Sequence, residues 1–305
     1  MKRFIVKRFL LAIVTLIGVS LIVFVAARAS GDPVMLMVPS TASQAQIDEM
    51  RHELGLDRSI PVQYAIFVRN AVKGDFGTSL RYTQPAMKLA LGRLPATLEL
   101  VAYAFILGLI LGVSLGILSA TKPGSVRERA GTGFAMLGLS VPGYWLAVIF
   151  TVVFAVKLHW LPTSGRETAL SRVLPTISVA WVAMAQIMRV TRSSMLEVLG
   201  SDYIKMARIK GVGERLVIWK HALRNALVPV LGMAGFLVAM LIGGLALVES
   251  IFRWPGIGSL LIDAVNARDF PLVQAGVLLV SAVVIFINFV VDLLYGIIDP
   301  RIRYE

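Results

Sequence analysis

The chain has 305 residues, 57% of them hydrophobic and 16% charged, with a mean hydropathy of +0.79. Ordinary soluble domains carry roughly half apolar and a quarter charged residues, so this balance argues against a soluble enzyme and against a disordered or collagen-like chain. Lys and Arg outnumber Asp and Glu by 30 to 18, a net charge of +12; in a membrane protein that excess belongs to loops held beside anionic lipid.

The missing residue types narrow the chemistry. Cysteine is absent, which removes disulfides, thiol nucleophiles and iron–sulfur clusters. His52, His159 and His221 are scattered without zinc spacing, and no metal or cofactor site is expected. No Gly-x-x-x-x-Gly-Lys-Ser/Thr loop occurs. Nucleotide-driven work would therefore need a separate subunit.

Crossing the hydrocarbon core takes about 20 apolar residues of helix. The first such run, Phe9–Ala27, follows the basic start Lys2, Arg3, Lys7 and Arg8. It is longer than a signal-peptide core and lacks a clean small-x-small cleavage site, so an uncleaved helix is expected. Residues 28–94 form a small segment outside the membrane. In it Ser43 and Gln46 make a capping box for a helix that Gly55 stops. Pro61 opens a second helix ending near Gly74, and a turn follows over Asp75–Ser79.

Further spans read Ala96–Ala120, Thr132–Val156, Val173–Val190, Leu227–Val248 and Leu272–Ile298. Six transmembrane helices in an all-α integral membrane protein is the expectation. Gly108, Gly112 and Gly116 stand at i, i+4, i+8, a small-residue stripe suited to close helix approach. Gly243-Gly244 reads either as a hinge or as another close contact. Glu99 and Asp292 (with Asn288 one turn earlier) are intramembrane ionisable groups, but both lie near helix ends. Capping and interhelical bonding fit them better than a proton relay.

Charge sets the orientation. Lys122, Arg127 and Arg129 in one short loop, seven basic residues within 191–226, and Arg301 and Arg303 in the tail fall on one side if six helices alternate. Both termini are therefore expected in the cytoplasm. The 191–226 loop is too long for a connector. Its apolar positions Tyr203, Ala207, Val212 and Leu216 recur at helical period among basic residues, with a bend expected at Gly211–Gly213. A second helix, Glu214–Arg224, is expected to end before Pro229. The pattern fits an amphipathic helix on anionic lipid or a helix held in a partner's groove.

The residues Asp202–Gly211, followed by His221–Pro229, resemble the "EAA" loop of binding-protein-dependent ABC transporter permeases, in the dipeptide/oligopeptide/nickel branch. Other motifs agree in order: Gly31-Asp32-Pro33, Leu54-Gly55-Leu56-Asp57 with Gln63-Tyr64, Gly74–Ser79, Arg93–Leu100, Val248–Gly258, Ala267–Pro271 and Asp299-Pro300-Arg301. The resemblance covers the whole chain and points to the first, B-type, of two permease subunits. It implies a type I ABC importer permease fold, divided as residues 1–27, 28–94, 95–298 and 299–305. Within it, Tyr203, Lys205, Ala207, Arg208, Lys210, Gly211 and Gly213 would form the loop that couples to an ATPase.

Met206 and Ile209 depart from the family's small residues. Also implied are a second homologous permease, two ABC ATPase subunits carrying ATP and magnesium, an extracytoplasmic substrate-binding protein and a place in a bacterial inner membrane. Nucleic acid is not among the expected partners. The substrate class implied is a short peptide, with a nickel chelate, a glutathione-like molecule or an oligosaccharide as alternatives. A secondary transporter or channel working alone is the competing reading.

Overall fold

A computed structural model describes residues 2–29, 34, 43–53, 55–122 and 124–298. The Gly31-Asp32-Pro33 motif, Leu54 and the Asp299–Arg301 tail motif lie outside the described residues. Contacts divide the chain into two units: residues 1–95 with 256–286, and residues 96–255 with 287–305.

The first unit opens with α1 (Lys2–Ala29), uniformly apolar through its centre. Only a narrow stripe of α1 packs inward. Ser20 Oγ meets the Tyr64 hydroxyl at 2.8 Å, and the Phe24 ring contacts Tyr64 edge-on with centroids 5.4 Å apart. Tyr64 belongs to α3 (Ile60–Val72), which follows α2 (Gln44–Glu53).

The capping box forms reciprocally. Gln46 N–H donates to Ser43 Oγ at 3.4 Å, and Ser43 N–H donates to Gln46 Oε1 at 2.9 Å. Gly55, at φ +65°, closes α2 by donating to His52 O while Leu56 N–H reaches back to Arg51 O.

The next helix, α4 (Ala86–Ala120), starts ten residues before the expected Ala96 and runs through Pro95. Ala86 and Ala90, one turn apart, are fully buried; Ala86 packs with Leu260, Ala264, Leu272 and Ala275. That tertiary contact outweighs the one backbone bond a proline removes. Also in the first unit, α10 (Ile257–Asn266) leads to α11 (Phe270–Ile298). Asp269, fully buried, caps α11 by accepting from Leu272 N–H at 3.3 Å. The same carboxylate accepts from Ser79 Oγ at 2.5 Å.

The second unit is a bundle around α7 (Val173–Leu199), which packs against α5 (Val126–Ser140), α6 (Gly143–Lys157) and α9 (Glu214–Ile251). The expected third span, Thr132–Val156, is not one straight helix: α5 and α6 meet at a bend of 101°. The cause is the Val141-Pro142 pair, for a proline pushes its predecessor out of the α region. Val141 indeed sits extended at φ −100°, ψ 118°. Among the described residues, five helices are long and apolar enough to cross a membrane, or six if the bent pair counts as one span.

The glycine stripe of α4 faces α7. A β-carbon on Gly112 would lie 2.8 Å from Ile187 Cβ and from Met184 O, and one on Gly116 would lie 2.6 Å from Thr191 Cβ. Backbone-to-backbone packing therefore depends on these glycines. Gly243 and Gly244, by contrast, have no described neighbour within 4 Å of a built β-carbon.

Candidate functional site

Residues 200–226 build a hairpin at one end of the second unit. After α7 ends, α8 (Asp202–Ile209) forms, and its inward face carries Ile204, which is fully buried. Ile204 packs with Ile117, Met195, Val217 and Ala222, and Ala207 and Val212 flank this cluster. The sequence pattern expected Tyr203 and Leu216 on the apolar stripe, but they are 45% and 51% exposed. Ile204 takes the inward place because the helix is seated by a different face. Ala207 likewise points into its own bundle. Its smallness suits close approach to side chains of α4, α7 and α9.

The turn after α8 is a Schellman motif. Gly211 N–H donates to Arg208 O at 2.9 Å and Val212 N–H to Ala207 O at 3.2 Å. Gly211 has φ +78°, the left-handed region in which a β-carbon is strained. Gly213, also expected to serve the bend, has φ −61° and simply precedes α9 as its N-cap. Its carbonyl accepts from Leu216 and Val217.

Two of the hairpin's basic residues, Arg208 and Lys205, are engaged within the chain. Arg208 forks onto Glu214, with Nε to Oε2 at 3.1 Å and Nη2 to Oε1 at 2.7 Å. Hydrogen bonding to that carboxylate raises the Arg208 pKa above its usual value. Lys205 pairs with Asp202 at 2.9 Å. Also turned outward, beside Lys210, are Met206, 52% exposed, and Ile209, 78% exposed, with Trp219 exposed further along the hairpin. The sequence showed Met206 and Ile209 only as departures from a motif; their outward aim is set by the register that Ile204 imposes.

The expected second helix does not end before Pro229. It continues as α9 to Ile251, with Pro229 inside it and a π-helical stretch over Val217–Ala222. Backbone groups freed by a proline inside a spanning helix are tolerated where neighbours re-satisfy them.

At the other end of α4, polar groups converge. Arg166 bonds Glu99 through both Nε and Nη2, and Arg172 Nη1 lies 3.4 Å from the second carboxylate oxygen. Arg166 also lies over the buried Trp254 ring, 5.7 Å from its centroid. Trp254 Nε1–H donates to Ala96 O at 2.8 Å, and Thr97 Oγ1 donates to the fully buried Glu249 at 2.6 Å. Thus, within the second unit, Ala96–Leu100 of one motif and Val248–Pro255 of the other are two sides of one joint. Glu249 is a buried carboxylate that the sequence reading passed over, because it sat inside a motif rather than alone in an apolar run. Asp292 lies late in α11 and is half-buried.

Among the described residues no group of three His, Cys, Asp or Glu side chains could hold a metal ion. The arrangement is that of a helical protein with several membrane-spanning segments and a structured polar hairpin at one end of its second unit.

Comparison with known proteins places it. Residues 112–304 match the family described as binding-protein-dependent transport system inner membrane component, and residues 1–101 match that system's N-terminal membrane component family. The chain belongs to this family and is a multi-span permease subunit of an ABC transporter complex. It is 39% identical over its full length to the dipeptide transport system permease protein DppB of Alkalihalophilus pseudofirmus, and over the full length of that protein. It is 40% identical, again end to end, to the glutathione transport system permease protein GsiC of Pectobacterium atrosepticum. Among solved structures, the inward-facing MetNI methionine ABC transporter matches with a TM-score of 0.59 at 20% identity, covering 70% of this chain and 97% of that one. An amino acid ABC transporter matches at 0.52 and 14% identity, covering 70% and 94%. These two support the fold.

Proposed function

We propose that this chain is one of two permease subunits in an importer of short peptides, and that α8 with its Schellman turn is where an ATPase subunit docks. Peptide chemistry is favoured because full-length relatives at about 39% identity carry dipeptide, oligopeptide and glutathione transport in their names. The observation that carries the docking assignment is the pair Met206 and Ile209, held outward on a short helix whose inward face and C-terminal turn are fixed by the bundle. An apolar, basic-rimmed helix projecting from the bundle suits insertion in a groove. The complex would hold two ATPase subunits with their ATP and magnesium, a homologous second permease and a substrate-binding protein outside, against which residues 28–94 would lie. Both termini would be cytoplasmic.

A cysteine-free chain makes the test direct. Ile209→Cys should cross-link to a single cysteine at the ATPase groove, and Ile209→Glu should lower co-purification of the ATPase at least about tenfold, the loss expected for a charge placed in an apolar docking contact. In intact cells an impermeant maleimide should reach Val72→Cys but not Ile209→Cys. Full ATPase recovery with Ile209→Glu, or external labelling at residue 209, would refute the assignment.

A further inference from the structure

Besides the Arg208–Glu214 fork beside the turn, the hairpin has one further directional link between α8 and α9. Asn225 Nδ2 donates to the Tyr203 hydroxyl at 2.7 Å. That hydroxyl donates to the His221 carbonyl at 3.4 Å, which Asn225 Nδ2 also approaches at 3.4 Å. Tyr203 is nearly half exposed, so its ring is only partly buried and its hydroxyl makes the specific contact. Apart from that fork, the remaining contacts of the hairpin, through Ile204, Ala207 and Val212, are apolar; such contacts are non-directional and tolerate sliding.

The carbonyl that Tyr203 grips belongs to the π-helical stretch Val217–Ala222. A π turn is a rare, wide arrangement. Returning it to α geometry changes the residue count per turn, and one residue of register rotates everything beyond it by about 100°. A pull on His221 O is therefore a pull on the one segment of α9 whose register can change, two turns before Pro229.

We propose that Tyr203 and Asn225 are positioning residues that convert movement of α8 into movement of α9. This rests on the reading of α8 as the ATPase docking helix. A structural role alone would be felt in assembly; transmission would be felt only in the displacement that follows ATP.

The test uses the complete transporter in lipid nanodiscs, with spin labels at Val126→Cys and Leu216→Cys and with Ile209→Cys cross-linking run in parallel. With ATP and vanadate, the parent chain should change its label distance. Tyr203→Phe and Asn225→Leu should each retain the ATPase subunit and trap vanadate normally, yet reduce the displaced population about 3- to 10-fold, the range one lost hydrogen bond commands. The double variant should be no worse than either single one. An unchanged displacement with the cross-link intact overturns the transmission role alone. Loss of the ATPase subunit in Tyr203→Phe overturns it too, because the hydroxyl would then shape docking. Absence of the Ile209→Cys cross-link overturns the docking reading and this proposal together.

Discussion

Glycine decides several outcomes at the scale of one residue, and for two different reasons. At Gly211 there is open space around a built β-carbon, but φ is +78°, so the penalty is backbone strain and not crowding. Asn and Asp tolerate that region far better than β-branched residues. Gly211→Asn should therefore transport nearly as the parent does, and Gly211→Val should lose about 1–2 kcal/mol of local stability, read as faster proteolysis of the hairpin. Gly211→Asp, compared with Gly211→Asn, then isolates the effect of charge at the docking face, which strain alone would confound. At Gly116 the opposite holds: φ is ordinary, but Thr191 Cβ and Met188 O leave no room. Gly116→Ala should cost about 1–3 kcal/mol. Gly243→Ala, with nothing near, should be neutral or gain about 0.5–1 kcal/mol from helix propensity. Thermal unfolding of the two variants in detergent checks the contrast.

At the scale of elements, periodicity and apolar length made the spanning helices legible, and capping chemistry exposed the ends of α2 and α3. Several boundaries escaped, including the end of α7, which runs nine residues past the expected Val190 to Leu199; three are instructive. The start of α4 at Ala86 depends on alanines whose partners, Leu260 and Ala264, lie far along the chain. The break at Val141-Pro142 sits in an otherwise apolar run that hydropathy reads straight through. The persistence of α9 past Pro229 depends on a neighbouring bundle that no local pattern encodes. The hairpin shows the same division. Gly211 was readable as a turn, whereas the seating of Ile204, and hence the outward aim of Met206 and Ile209, follows from packing on Val217 and Ala222. Distant motifs prove to be halves of joints, as Thr97 with Glu249 illustrates. Thr97→Val keeps the shape and removes one partner of a buried carboxylate, so it should lower stability by about 1–3 kcal/mol, seen as a fall in Tm of the purified subunit. Thr97→Ser should restore most of that loss.

At the scale of the whole molecule, the chain supplies path and contact surfaces while the family places it in an ABC transporter complex. Such a machine must keep some parts fixed so that others can be levers. The α4–α7 seam identifies a fixed part. A β-carbon added at Gly108, Gly112 or Gly116 would fall within 3.2 Å of Ala183, Ile187 or Thr191, so the two helices approach too closely for larger side chains, and close-packed interfaces of this kind jump between discrete states and do not deform smoothly. The two helices are expected to move as one keel, with bending left to the 101° break between α5 and α6 and to the π segment of α9. A built β-carbon at residue 108 lies 3.2 Å from Ala183 Cβ, only slightly inside the spacing a disulfide spans, about 3.5–4.5 Å. Gly108→Cys with Ala183→Cys should therefore oxidise readily, and the locked transporter should run at the same rate before and after reduction. A lock that halts transport would mean that the keel is itself the hinge.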